Sequence, residues 1–271
     1  MTPEEFKHIL KEISPYCKNI FLHVKGEPLL SRHLGEMLKI CGREGFLATI
    51  TTNGTQIATK AHILYEYASV ISSFNISLQG FIHSAKWQKE LPSVLAFCDR
   101  FEKEHGKNIV LRLWGIQEKP ELKELIKRLI RHFSLPEEEI IKIEQNRSYT
   151  IRKGIHISQE NEFVWPGENK KSLGEIGFCY GSLNQLAILC DGRVVPCCLD
   201  GEGEITLGNI YAEPFEKIFN SDRLRIMREG FMRGKAKEEL CKKCSYKSRF
   251  DQKARRIARD YQNAEITIGE R

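Results

Sequence analysis

Two spacings of apolar residues alternate along roughly the first 160 positions of the chain. Phe6, Ile9, Leu10 and Ile13 recur at helical spacing behind "TPEE". There Thr2 can cap, Pro3 suits the first helical position, and Glu4 and Glu5 favour the positive end of the helix dipole. The run "NIFLHV" (19–24) reads as a strand, 33–44 as a helix, "LATITTNG" (47–54) as a strand ending in a turn, and 57–69 as a helix. "SFNISLQG" (73–80) is the next strand, followed by a long helical stretch to about residue 105. "NIVLRLW" (108–114), a helix over 120–133 and a last strand "GIHIS" (154–158) complete the series. Helices alternating with near-continuous apolar strands predict a parallel sheet with crossover helices. Sites on such sheets lie beyond the carboxyl ends of the strands. Those ends carry "KGEP", "TTNG", "SLQG" and Arg112.

From about Gly167 the pattern changes. "GENKKSLGE" is a polar linker, and "NQLAILCDGRVVPCC" reads as two strands around Asp191-Gly192, a strong hairpin signal. Short helices follow at 214–219 and 222–233, then "LCKKC", then a basic helix at 248–262. The chain thus divides into an α/β domain over 1–166 and a small α+β domain over 167–271. The second has a meagre core, and units of that size often recruit a metal.

Composition narrows the class only slightly. The chain is 41% hydrophobic and 29% charged, and its net charge of +6 over 271 residues is mild. No apolar run approaches the roughly 20 residues that span a bilayer. The acidic start "MTPEEF" is unlike a signal peptide, so a cytoplasmic protein without membrane association is expected. In the last helix Phe250, Ala254, Ile257 and Tyr261 form an apolar face. The basic residues are then an ordinary solvated face, and nucleic acid is not expected as a partner.

In that compartment nine cysteines are core residues, metal ligands or redox groups rather than disulfides. Cys179, Cys190, Cys197, Cys198, Cys241 and Cys244 fall in the small domain. Cys241-Lys-Lys-Cys244 has the spacing that lets two thiolates reach one metal centre. Cys190 closes an apolar strand and reads as core. The remaining ligands are then sought in Cys179 and in Cys197 or Cys198, which as strand neighbours would point to opposite faces. Four thiolates suit zinc or a [4Fe–4S] cluster alike.

The stretch from "CYGSLNQLAILCDGRVVPCC" through "LGNI" and "PFEKIFNSDRLRIMREG" to "LCKKC" resembles the SPASM and twitch domains that follow a radical S-adenosylmethionine barrel. In that family a first cysteine precedes a hairpin carrying G-x4-C, matched here by Gly192 and Cys197. The resemblance implies Cys179, Cys197, Cys241 and Cys244 as ligands of one auxiliary [4Fe–4S] cluster, with Cys198 facing away as core. Because "CSYKSRF" lacks the further cysteines of the full SPASM pattern, the shorter twitch type is implied.

The first domain resembles the radical S-adenosylmethionine partial barrel, with "HVKGEPLL" standing where that family carries its G-E-P motif. This implies cofactor contacts from Gly26 and Glu27, from Thr52 and Asn53 in "TTNGT", and from Ser77 and Arg112. The family's C-x3-C-x2-C loop is missing, together with the first strand. No catalytic residue is therefore assigned, and the 271 residues are expected not to cleave S-adenosylmethionine.

The resemblance places S-adenosylmethionine and a second [4Fe–4S] cluster only in a longer form, a shortened N-terminus being expected. That form would be an oxidoreductase-like radical enzyme acting on a peptide, protein or small molecule, served by a reductant such as a flavodoxin or ferredoxin. The alternative is a non-catalytic iron–sulfur or zinc protein that binds a partner or transfers electrons.

Overall fold

The computed structural model describes residues 1–82, 85–115, 120–161, 164–167 and 169–259. Helix α1 (Pro3–Ile13) starts where the sequence places it. Thr2 and Glu5 form a reciprocal capping box, and Phe6, Ile9, Leu10 and Ile13 are the buried face. After β1 (Asn19–Leu22), α2 (Leu34–Glu44) stops at Gly45, whose φ of 72° is left-handed. Then come β2 (Leu47–Thr52), α3 (Ile57–Glu66), β3 (Ile71–Ser77), α4 (Ala85–His105), β4 (Asn108–Trp114) and α5 (Pro120–His132).

The sequence pattern did not show α6 (Glu139–Gln145) or β5 (Ser148–Arg152). Both are too short and too polar to carry a clear period. β5 turns through Lys153-Gly154 into β6 (Ile155–Glu160), the strand expected there. Gly154 has φ +78°, and a side chain on it would meet Glu102 at 2.6 Å.

The six strands lie in the order β1-β2-β3-β4-β6-β5. All neighbours are parallel except the β5–β6 pair, so this α/β unit is an open, partial barrel. The strands alternate rather than being apolar throughout. Ala48, Ile50, Phe74, Ile76, Ile109, Leu111, Ile155 and Ile157 are buried on one face. Phe74 meets Phe97 and Phe101 of α4 edge to face, at 5.5 and 5.1 Å between ring centroids. The opposite face carries half-exposed Thr51, Asn75, Ser77, Arg112, Trp114, His156 and Ser158. That polar face explains why strands of a parallel sheet hold so many hydroxyls.

By contacts the chain separates into Thr2–Glu162 and a second unit from residue 163 onward. In the latter, β7 (Ala187–Ile188), β8 (Arg193–Val195) and β9 (Gly208–Asn209) make a small antiparallel sheet. The hairpin turns at Asp191-Gly192, with Gly192 at φ +85°. "LGNI" supplies β9. Cys190 is exposed, not core, because β7 ends at Ile188 and the thiol falls in the turn. Cys197 and Cys198 are not on a strand either, since β8 ends at Val195 and a bend follows Pro196. Cys198 is half-buried rather than core.

Helices α7 (Phe215–Phe219), α8 (Asp222–Met232) and α9 (Glu239–Lys243) follow, then a 3₁₀ turn (Ser245–Phe250) and helical residues 251–259. Ala254 is fully buried and Arg255, Arg256 and Arg259 are exposed, whereas Tyr261 lies outside the described residues. No described helix is long and apolar enough to cross a membrane.

Candidate metal centre

Three separate segments deliver cysteines to one pocket. Gly177 donates to the Gly234 carbonyl at 2.9 Å, which fixes the chain entering Cys179. Beyond it, the Ser182 N–H is shared between the Gln185 and Pro196 carbonyls at 3.0 and 2.8 Å, joining this segment to the hairpin exit. Gly181 lies between the two. A methyl group there would stand 3.1 Å from Cys197 Cβ and 3.5 Å from Cys179 Sγ, so a side chain would press on the two cysteines.

Cys197 is held by the loop that follows it. The Asp200 carboxylate, 2% exposed, accepts from the Glu204 and Ile205 N–H groups at 2.8 Å each. Cys241 and Cys244 come from α9 and its C-cap. A bidentate ion pair from Arg223 of α8 to Glu238, at 2.8 Å for both contacts, fixes the start of α9.

The pocket is lined by these four cysteines and by Pro166, Pro196, Leu199, Ile205, Phe231, Leu240, Asp200 and Lys247. Cys198 is not among its walls. Burial pushes the Cys197 thiol up to about 12, and it raises Cys241 too, reinforced by the three neighbouring thiols. Cys179 and Cys244 are raised by burial as well, against opposing backbone donors. The Gly181 N–H lies 3.3 Å from Cys179 Sγ, Leu199 and Asp200 donate to Cys197, and Tyr246 and Lys247 donate to Cys244.

Buried thiols with amide donors aimed at them suit thiolates whose charge is balanced by a metal centre. The donor set therefore fits a metal centre of the four-cysteine kind. A single zinc with sulfurs at about 2.3 Å would hold them roughly 3.8 Å apart. Among the described residues no three such donors are grouped to hold one ion. Ser182 adds an unpartnered buried hydroxyl beside Gly181, on a backbone at φ 62°.

On the partial barrel, Glu27 and the "TTNG" turn meet. Thr52 Oγ1 donates to Glu27 Oε1 at 2.6 Å and the Asn53 N–H donates to Oε2 at 2.7 Å. Glu27 also accepts from the Leu29 N–H at 3.1 Å, capping the 3₁₀ turn Pro28–Leu30. Gly26, at φ +94°, turns the chain into this latch. Thr52 is 2% exposed, so its hydroxyl serves the latch from the covered face.

Ser77 and Arg112 are register partners on β3 and β4, on the open face, and the Arg112 guanidinium lies 4.7 Å over the Trp114 ring. The latch and this pair share the carboxyl end of the sheet, because Thr52 pairs with Ile76, the residue before Ser77. The sequence reading missed His23, half-buried near Arg112 with Nδ1 unpartnered. Burial first, then Arg112, lowers its pKa. Its signal was the two-residue spacing from Phe21, whose ring it meets edge-on at 5.9 Å.

Comparison with solved structures finds the same fold. BtrN in complex with AdoMet and 2-DOIA superposes with a TM-score of 0.52 at 18% identity, over 90% of this chain and 80% of that one. Streptococcus suis SuiB gives a TM-score of 0.55 at 15% identity, over 85% of this chain and 62% of that one. SuiB bound to precursor peptide SuiA gives 0.54 at 17% identity, over 90% and 63%. No curated protein matches the sequence. Residues 179–245, which include all four pocket cysteines, match the family model of the SPASM iron-sulfur cluster-binding domain.

Proposed function

We propose that Cys179, Cys197, Cys241 and Cys244 hold one [4Fe–4S] cluster, in a protein of the radical S-adenosylmethionine/SPASM type. The observation that carries this reading is the convergence of four half-buried cysteines from three segments on one largely apolar pocket. The match of residues 179–245 to an iron-sulfur cluster-binding domain favours a cluster over a single zinc. With four cysteine ligands, such a cluster supplies electron transfer or a structural anchor rather than an open iron. The protein's own part is to exclude water with Leu199, Phe231 and Leu240, and to direct backbone N–H groups at the sulfurs.

On the partial barrel, Gly26, Glu27, Thr52, Asn53, Ser77 and Arg112 are the proposed contacts for S-adenosylmethionine. Glu27 would act there through the latched loop it organises, and Ser77 and Arg112 through the open face. The other five cysteines are assigned to no second site: Cys17 and Cys190 are exposed, Cys41 and Cys98 are buried in α2 and α4, and Cys198 is half-buried. The 271 residues are read as an iron–sulfur protein of the radical S-adenosylmethionine/SPASM type. A flavodoxin or ferredoxin would be its reductant. A peptide or a small molecule is the substrate class, by analogy with the precursor peptide and the 2-DOIA named for SuiB and BtrN.

The test is anaerobic purification with iron and sulfide analysis. About four of each per chain, with a brown chromophore, are expected. Stoichiometric zinc without iron would replace this reading with a zinc-stapled binding module.

A further inference from the structure

The pocket holds a charge that its thiols do not supply. Lys247 is 4% exposed, and its ammonium donates to two neutral acceptors, the Gly174 carbonyl at 3.0 Å and the Ile176 carbonyl at 2.9 Å. Its stem passes over Gly177, where a methyl group would stand 3.0 Å from Lys247 Cδ. Both neighbours therefore shape a channel for this side chain. Burying an ammonium is costly unless negative charge faces it, and two carbonyl dipoles do not neutralise it. Asp251 acts on it from beyond ion-pair distance, and the one carboxylate in the pocket wall, Asp200, accepts from the Glu204 and Ile205 N–H groups instead. What it does share is the cavity wall of Cys179, Cys197, Cys241 and Cys244.

We propose that Lys247 is the resident counter-cation of the centre these four cysteines hold, and that its fixed charge raises the reduction potential of that centre. The inference rests on the iron–sulfur reading. Four thiolates leave such a cluster with a net negative charge, which one-electron reduction increases. Net charge is among the main determinants of cluster potential. A cation locked in a water-poor wall acts through a low dielectric and favours the reduced form. The hydrogen bonds of Lys247 also tie the segment before Cys179 to the one after Cys244, so charge and tether must be separated experimentally.

Lys247→Gln keeps a donor for the two carbonyls and removes the charge; Lys247→Arg keeps the charge. The wild-type chain and both variants are reconstituted anaerobically, analysed for iron and sulfide, and titrated with dithionite and redox mediators by electron paramagnetic resonance. The Gln variant should show a reduction equilibrium at least tenfold less favourable, a potential lower by about 59 mV or more. The Arg variant should stay within about threefold of wild type, as expected if charge is what acts. Iron uptake by the Arg variant but not the Gln variant would equally support the role of charge. A loaded Gln variant at the wild-type potential, an Arg variant displaced as far as the Gln variant, or loss of iron from both overturns the proposal. A wild-type chain without iron overturns the cluster reading itself, and is recognised before either variant is compared.

Discussion

The latch between Glu27 and the "TTNG" turn can be tested without any cofactor. Its carboxylate accepts from Thr52 Oγ1 at 2.6 Å, from the Asn53 N–H at 2.7 Å and from the Leu29 N–H at 3.1 Å. Thr52 Oγ1 in turn accepts from the Gly54 N–H at 3.0 Å. In Glu27→Gln one acceptor oxygen becomes an NH2 group. One of the three donors then faces another donor, and leaving it unpaired costs about 1–3 kcal/mol. The bonds that survive lose their charge assistance, roughly half their strength. The sum is a destabilisation of about 2–3 kcal/mol. Thr52→Val keeps the side-chain shape and removes the hydroxyl from both bonds, for a loss of about 1.5–3 kcal/mol.

Because the two residues touch, the double variant should be less destabilised than the sum of the singles, by about 1–2 kcal/mol. Urea denaturation at neutral pH, with tryptophan fluorescence reporting in part from Trp114 on β4, measures all four corners of the cycle. A Glu27→Gln variant within about 0.5 kcal/mol of wild type, with an additive cycle, would refute the latch. Glu27 would then have to be read as a solvated carboxylate free for a ligand.

Three further outcomes are expected. Cys197→Ser should abolish iron loading whereas Cys198→Ser should leave the cluster spectrum largely intact, because only Cys197 lines the pocket; the opposite pattern in iron analysis would reverse the assignment. Gly192→Ala should destabilise the hairpin by about 2 kcal/mol or more, since L residues resist this conformation. Its φ is +85° and a side chain would meet Asn209 Oδ1 at 2.6 Å, so denaturation with parallel iron analysis should show both stability and loading falling. Burial, then the Glu139 carboxylate, pushes the Tyr149 phenol up to about 12. The folded protein therefore keeps a proton that the unfolded chain loses near about pH 10. That stabilisation is complete below pH 10 and is lost as the pH rises toward 12, and Tyr149→Phe should flatten the loss in denaturation midpoints measured across this range.

What the sequence determined by itself was whatever depends on neighbours along the chain. Thr2, Pro3 and Glu5 specify the start of α1, and Gly192 the hairpin turn, because caps and turns are satisfied within a few residues. Tertiary structure decided everything that depends on which face a residue shows. Cys190 looked like core at the end of "LAILC" but is exposed, because two residues of pairing end β7 before it. Cys197 and Cys198 were separated by a bend after Pro196 rather than by strand alternation.

Glu27, Thr52 and Asn53 were legible as polar residues at strand ends. That they bond to one another follows only from β1 and β2 lying side by side. Lys247 had a signal, since it shares its helical phase with Phe250 and Ala254, but a lysine in an apolar phase usually extends its head to solvent. Here Gly177 opens a channel and the carbonyls of residues 174 and 176 lie at its end, so the ammonium stays inside. Those partners stand some seventy positions away, and only the packed chain brings them to the charge.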